Sequence, residues 1–96
     1  MGMNSAGGRA GHGFPPPDTG LVIAAFMDVL ANDEMVEPDT DFFDAGGNSV
    51  LAGRLVARVA RTFGMKIKLK DVFTYRTPDE LAGRLHELSR APARPR

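Results

Sequence analysis

Apolar residues recur with the period of an α-helix in three separate stretches of this 96-residue chain. The stretches run from about residue 19 to 31, from 49 to 63, and onward from Thr77. Because a short isolated helix is marginal in water, the three apolar faces must pack against one another. The chain is therefore predicted to be all-α, a small antiparallel helix bundle. The apolar positions are Val22, Phe26, Val29 and Leu30 in the first stretch, Ala52, Val56, Val59 and Phe63 with Leu51 and Leu55 in the second, and Leu81, Leu85 and Leu88 in the third.

Local signals set the helix ends. Gly64 follows the second stretch and predicts its C-terminal stop. Thr77 is suited to cap the last helix, with Pro78 at the first position and Glu80 three residues after the cap. Residues 65–70 alternate like a strand, but no second strand pattern is present to pair with them. We therefore expect an extended segment that leads into a short helical turn at about residues 71–74.

The composition excludes several classes of protein. Without cysteine the chain has no disulfide frame and no thiolate metal site, and its two histidines lie far apart in sequence. No apolar run approaches the roughly 20 residues needed to span a bilayer. The formal net charge of zero argues against a nucleic-acid-binding protein. We therefore expect no metal site, no membrane span and no nucleic-acid partner.

The zero net charge conceals a division of the charges along the chain. Residues 1–49 hold eight acidic residues and one basic residue, whereas residues 50–96 hold four acidic and eleven basic residues. Arg54, Arg58 and Arg61 fall at offsets 0, 4 and 7, on one face of the second helix. This basic stripe is compatible either with a solvated face or with a docking strip for an acidic partner surface.

The connection at residues 32–48 is long for so small a domain, and such loops are usually functional. Its apolar residues are expected to anchor it to the core: Met35, Val36, Phe42 and Phe43. A glycine pair near its end permits positive φ, and Asn48 or Ser49 is expected to cap the second helix. Ser49 stands where the helix dipole favours an anion, although the spacing alone favours a plain helix cap.

The sequence DFFDAGGNSVL at residues 41–51, continued by AGRLVAR to residue 58, resembles the phosphopantetheine attachment motif of carrier proteins. LKDVF at residues 69–73 and TPDELA at residues 77–82 resemble the third-helix and fourth-helix signatures of the same family. The resemblance covers about residues 18–91. The phenylalanine pair, the glycine pair and the Leu-(x)3-Phe spacing are most similar to peptidyl carrier proteins of nonribosomal peptide synthesis.

This resemblance implies a four-helix bundle of acyl-carrier-protein type at residues 18–91. Residues 1–17 are rich in glycine, alanine and proline without apolar periodicity, which predicts a flexible N-terminal tail, and residues 92–96 are expected to form a second tail. The resemblance implies that Ser49 receives 4′-phosphopantetheine from coenzyme A, with Gly46, Gly47 and Asn48 shaping the site. The arm would hold an aminoacyl or acyl group as a thioester, and the chain itself would catalyse nothing. Asn48 departs from the family pattern, which most often has His or Asp before the serine.

The resemblance also implies partners. These are the phosphopantetheinyl transferase, an adenylation enzyme, and condensation, tailoring or other downstream enzymes of secondary-metabolite biosynthesis. We expect a monomer that acts in the cytoplasm. The Met start and short tails favour a free-standing carrier, but an excised module of a longer protein would have the same features. The residues that are candidates for partner contact are Val50, Leu51, Arg54, Arg58, Val72, Phe73 and Tyr75. Most of the apolar ones among them are also compatible with a place in the core, with one or two left to contact partners.

Three alternatives stay open. The first is an acyl carrier protein of polyketide or fatty-acid synthesis, which the double glycine and the basic second helix disfavour. The second is a helical protein-interaction module that carries no covalent arm. The third is a hydrolase built on Ser49, His86 and Asp44, which lacks the Gly-x-Ser-x-Gly elbow and any sheet to support it.

Overall fold

The computed structural model describes residues 14–31 and 35–90. It contains four helices, α1 (Thr19–Leu30), α2 (Ser49–Phe63), α3 (Leu69–Thr74) and α4 (Pro78–Arg90), and no strand within the described ranges. The all-α prediction is confirmed. No helix in these ranges is both long enough and apolar enough to cross a membrane.

The core lies where α1 contacts both α2 and α4, while α3 packs against α2. The predicted faces of α1 and α4 point inward, although Leu88 is only half-buried. In α2 the buried positions are Ala52, Leu55, Val59 and Phe63, and Val56 is half-buried. Leu55, expected only to widen the face, is therefore central to it.

The helix ends follow local hydrogen-bonding groups. Asp18 caps α1 by accepting a hydrogen bond from the N–H of Leu21 at 2.9 Å. That helix ends at Leu30, one residue earlier than predicted, because Ala31 has a left-handed backbone with φ of 49°. Gly64 ends α2 with φ of 68°, as predicted. The N–H of Glu80 donates to Thr77 Oγ1 at 3.1 Å, which confirms the cap of α4.

The short helix α3 begins two residues before the predicted turn. The carboxylate of Asp71 accepts a hydrogen bond from the N–H of Lys68 at 2.8 Å, which fixes the entry to the helix. Asp71 also lies 3.8 Å from Arg84 Nε on α4. The strand-like alternation at residues 65–70 is thus a non-helical segment that leads into α3, with Ile67 buried beneath it.

The long loop is fixed to the core by Phe42. Its fully buried ring meets the ring of Phe26 edge to face at a centroid distance of 5.2 Å. Val36 is also buried, but Met35 is 75% exposed, so the expectation that Met35 anchors the loop is wrong. The adjacent Val36 takes the buried position in its place.

Part of the predicted N-terminal tail belongs to the described residues. The ring of Phe14 packs over Gly64, and Pro17 is buried. Residues 1–13 of that predicted tail, and the whole of the predicted C-terminal tail at residues 92–96, lie outside the described residues.

Candidate functional site

Ser49 is the first residue of α2, and its side chain is exposed. The capping role belongs to its neighbour, because Asn48 Oδ1 accepts a hydrogen bond from the N–H of Leu51 at 2.9 Å. Of the two capping residues considered from the sequence, the structure selects Asn48. Within the described part of the chain the Ser49 hydroxyl has no hydrogen-bond partner, so it is available for reaction.

The backbone around Ser49 is favourable for an anion. The carbonyl of Asn48 accepts from the N–H of Ala52 at 2.8 Å, and its side chain satisfies Leu51. Among the described residues, the N–H groups of Ser49 and Val50 are left without a partner. Free N–H groups at the positive end of a helix stabilise negative charge, and a phosphoryl group on Ser49 would lie beside them.

The two glycines that precede this helix act in different ways. Gly46 has φ of 109°, a conformation that strains residues with a side chain. At Gly47 the constraint is space, since a Cβ atom there would lie 2.4 Å from the ring of Phe42 and 2.7 Å from its carbonyl oxygen. The N–H of Gly47 donates to that same carbonyl at 2.9 Å. The loop therefore returns tightly over Phe42 before it presents Ser49.

Asp41 organises the turn that carries the glycines. Its Oδ1 accepts hydrogen bonds from the N–H of Phe43 at 2.8 Å and of Asp44 at 3.2 Å. Its Oδ2 pairs with Arg76 Nε at 2.9 Å, and the N–H of Phe42 donates to the Arg76 carbonyl at 2.8 Å. Neither Asp41 nor Arg76 was predicted from the sequence to have this role. An aspartate at the start of a turn was a usable signal for the first, because its side chain readily bonds the following backbone.

An aromatic pair lies at this end of the bundle. The rings of Phe43 and Phe73 stack at 4.7 Å with an interplanar angle of 11°, and the guanidinium of Arg76 lies 5.0 Å from the Phe43 centroid. Phe73 remains 44% exposed. The stack therefore joins the loop to α3 and presents an apolar surface to solvent.

The predicted partner-contacting residues divide by exposure. Val50 is 74% exposed and Arg54 is exposed, whereas Leu51 and Tyr75 are half-buried. Val72 is fully buried against the core, so the expectation that its side chain contacts partners is wrong. In a six-residue helix packed on α2, Val72 faces inward and the next residue, Phe73, faces outward.

Arg58 and Tyr75 each have a partner on another element. Arg58 forms an ion pair with Asp28 of α1. Tyr75 lies with its ring centroid 5.7 Å from the guanidinium of Arg84 on α4. In the described ranges, no group of three or more histidine, aspartate or glutamate side chains is arranged to hold a metal ion.

Comparison with known proteins places this geometry in a family. The family profile described as phosphopantetheine attachment site matches residues 20–85, more than half of the chain. That range contains all four helix cores, the glycine turn and Ser49.

Individual relatives agree with this match. The chain is 49% identical over 57 residues, 59% of its length, to a probable non-canonical nonribosomal peptide synthetase, CymA, of Salinispora arenicola. It is 35% identical over 68 residues (71% of its length) to a linear gramicidin synthase of Brevibacillus parabrevis. It is 42% identical over 65 residues (68% of its length) to a plipastatin synthase of Bacillus subtilis. The matched segment spans only 1–2% of the length of these relatives.

The family match covers the motif that carries the resemblance, and the four helices agree with the fold that it implied. The chain therefore belongs to the phosphopantetheine attachment site family of carrier domains, whose members carry 4′-phosphopantetheine covalently.

Proposed function

We propose that the chain is a peptidyl carrier protein whose 4′-phosphopantetheine arm is esterified to the hydroxyl of Ser49. One observation carries the assignment of the residue: Ser49 is exposed at the start of α2 and its hydroxyl has no partner among the described residues. The chain has three serines, and of the other two the described one, Ser89, donates its hydroxyl to the His86 carbonyl at 2.8 Å. When attached, the arm supplies a terminal thiol that holds the cargo as a thioester.

The residues around Ser49 fit a phosphoryl group. Asn48 caps the helix, so the Ser49 hydroxyl is not used in the cap. The free N–H groups of Ser49 and Val50 supply donors to phosphate oxygens at the positive end of α2. Gly46 and Gly47 allow the loop to reach the helix without a side chain on its last turn. These residues bind and orient the group, and we propose that the chain contributes no catalytic side chain.

The relatives support the peptidyl branch over the acyl branch. The three described above are a nonribosomal peptide synthetase and two synthases of named peptides. On this basis we propose that the partners are a phosphopantetheinyl transferase, an adenylation enzyme that loads an amino acid, and condensation or tailoring enzymes that receive it. We propose a monomer that works in the cytoplasm, because an arm that visits several active sites must be free to move between them.

The attachment is tested by intact-mass measurement. The apo chain is incubated with coenzyme A, Mg²⁺ and a broad-specificity phosphopantetheinyl transferase. We expect the mass to rise by one phosphopantetheine in the wild type and in Ser89→Ala, and to stay unchanged in Ser49→Ala. No adduct on the wild type, with a transferase that modifies a known carrier in parallel, would refute the proposal.

The choice between the two branches needs a second assay on the modified chain. Adenylation enzymes with ATP and amino acids are compared with a malonyl transferase and malonyl coenzyme A. We expect aminoacyl adducts in the first set and none in the second. Malonyl loading without aminoacyl loading would assign the chain to the acyl branch.

A further inference from the structure

An open groove of about 350 Å³ lies between α1 and α2. Val29 and Ala57 provide its apolar part, and the remaining residues that line it are charged. These are Asp28, Arg54, Arg58 and Arg61.

The charges of this groove do not balance. Asp28 forms an ion pair with Arg58 across the groove, and both side chains stay partly exposed, at 53% and 35%. Arg54 and Arg61 lie one helical turn before and after Arg58 on the same face of α2. Within residues 14–31 and 35–90, neither Arg54 nor Arg61 has an acidic partner. The groove therefore presents two uncompensated guanidinium groups beside one that is already paired.

The position of the groove makes it accessible to a protein that acts on Ser49. At 1.5 Å per residue, Arg54, Arg58 and Arg61 lie about 7.5, 13.5 and 18 Å from Ser49 along the axis of α2. At 3.6 residues per turn, these arginines also lie roughly 120–180° around α2 from Ser49. A partner that contacts both Ser49 and the groove must therefore extend around the first turns of α2, and an interface of ordinary size, about 800 Å² on each partner, is the scale required.

The chemistry of the groove favours carboxylates. Guanidinium groups bind carboxylates through paired hydrogen bonds, and the apolar part formed by Val29 and Ala57 suits the aliphatic stem of a glutamate. A nucleic acid is disfavoured, because no aromatic side chain lines the groove for base stacking and the whole chain has a net charge of zero.

We propose that this groove receives carboxylate side chains from an acidic face of a partner protein, and that Asp28 is an internal competitor for Arg58. That the partner acts on Ser49 rests on the proposed function; the affinity of the groove for carboxylates does not. A partly exposed ion pair contributes only about 0–1 kcal/mol, so an incoming carboxylate can displace Asp28. Competition from Asp28 thereby weakens binding to partners that offer few carboxylates, and it increases the preference of the groove for strongly acidic partners.

The test uses the full-length apo chain, labelled with ¹⁵N and titrated at low ionic strength with a hexaglutamate peptide. We expect the backbone and arginine side-chain signals of residues 54–61 and 28–29 to shift. Reversal of both unpaired arginines, in Arg54→Glu/Arg61→Glu, should raise the dissociation constant about fivefold or more. The matched control is Lys66→Glu/Lys70→Glu, which reverses two exposed charges outside the groove and should leave the constant within about twofold.

The role of Asp28 has its own gain-of-binding variant. Asp28→Asn frees Arg58 and should tighten peptide binding about two- to fivefold. Asp39→Asn removes the same charge from an exposed loop position and should leave the affinity for the peptide unchanged. Unchanged affinity in Asp28→Asn would refute the competitor role. Because both variants keep the size of the side chain, folding is compared directly by their amide spectra.

Three results would refute the proposal that the groove binds carboxylates. These are equal weakening in the two double variants, signal shifts confined to the lysine segment, or tighter binding of an oligothymidylate of matched charge at residues 54–61. If Arg54→Glu/Arg61→Glu disturbs the fold, Arg54→Gln/Arg61→Gln serves in its place. Since the peptide assay uses unmodified chain, its failure would leave the mass shift at Ser49 unaffected, and the two proposals fail separately.

Discussion

Substitution of Gly47 by alanine should destabilise the fold through a single steric conflict. The added Cβ atom would lie 2.4 and 2.5 Å from two ring carbons of Phe42, and 2.7 Å from its carbonyl oxygen. The ring is fully buried and is already in edge-to-face contact with Phe26 at 5.2 Å and with Phe43 at 5.3 Å. It therefore has no free direction in which to move by the roughly 1 Å or more that an ordinary contact requires.

The magnitude follows from what overpacking costs in a filled core. Forcing an extra methyl group into such a site destabilises a protein by about 1–3 kcal/mol. We expect a loss of about 2 kcal/mol in the free energy of unfolding for Gly47→Ala. In a domain of this size, that loss lowers Tm by about 8–16 °C.

Gly53→Ala is the matched control for this prediction. Gly53 lies inside α2, and no heavy atom lies within 4 Å of the Cβ that alanine would add. Alanine in a helix interior is about 0.5–1 kcal/mol more favourable than glycine, so this variant should be slightly more stable than the wild type. Both are measured by urea and thermal unfolding followed by circular dichroism. A Gly47→Ala chain as stable as the wild type would refute the steric argument, as would equal effects in the two variants.

Substitutions at three further positions test the two ends of α2 by the same unfolding measurements. Gly46→Ala should cost at least about 1 kcal/mol, because φ of 109° strains an alanine, and an unchanged stability would show that the turn relaxes. Asn48→Ala should lose about 1 kcal/mol of cap energy and Asn48→Asp should keep it; equal losses would contradict the capping role. Phe14→Ala should lose about 1 kcal/mol, since the ring packs over Gly64, and no loss would mean that Phe14 does not support the fold.

The three longer helices were predictable because their signals are local. The 3.6-residue period of apolar side chains, the stop at Gly64 and the cap at Thr77 each depend on a few neighbouring residues. Ser49 could be selected as the candidate site because the surrounding motif is contiguous in sequence. These features require no knowledge of which elements meet in space.

The contacts that shape the surface of the site were not predictable in this way. Phe43 and Phe73 stack although they lie 30 positions apart, and no local pattern pairs them. The short helix α3 has only six residues, too few for a period to show which side is buried, and for this reason Val72 was wrongly assigned to the partner surface. Adjacent residues Met35 and Val36 were likewise indistinguishable before the fold placed one outside and the other inside.

The fold pairs some of the charges that the sequence keeps in separate halves. Asp28 pairs with Arg58 and Asp41 pairs with Arg76, so that acids of the first half meet bases of the second. At the α1–α2 groove, Arg54 and Arg61 of the basic stripe have no acidic partner among the described residues, so their positive charges are not compensated. In our proposal Arg54 and Arg61 are the arginines of the basic stripe that are free to bind carboxylates, and Arg58 joins them when its ion pair with Asp28 is displaced.

Tryptic peptide mapping of the transferase-treated chain tests the central assignment most directly. The chain has no lysine or arginine between Arg9 and Arg54, so Ser49 is the one serine of the peptide at residues 10–54, and Ser89 falls in the separate peptide at residues 85–90. Attachment at Ser49 predicts one phosphopantetheine on the first peptide, with fragment ions that place it on Ser49, and an unmodified second peptide. A modification on residues 85–90, or fragment ions that place it away from Ser49, would contradict the assignment.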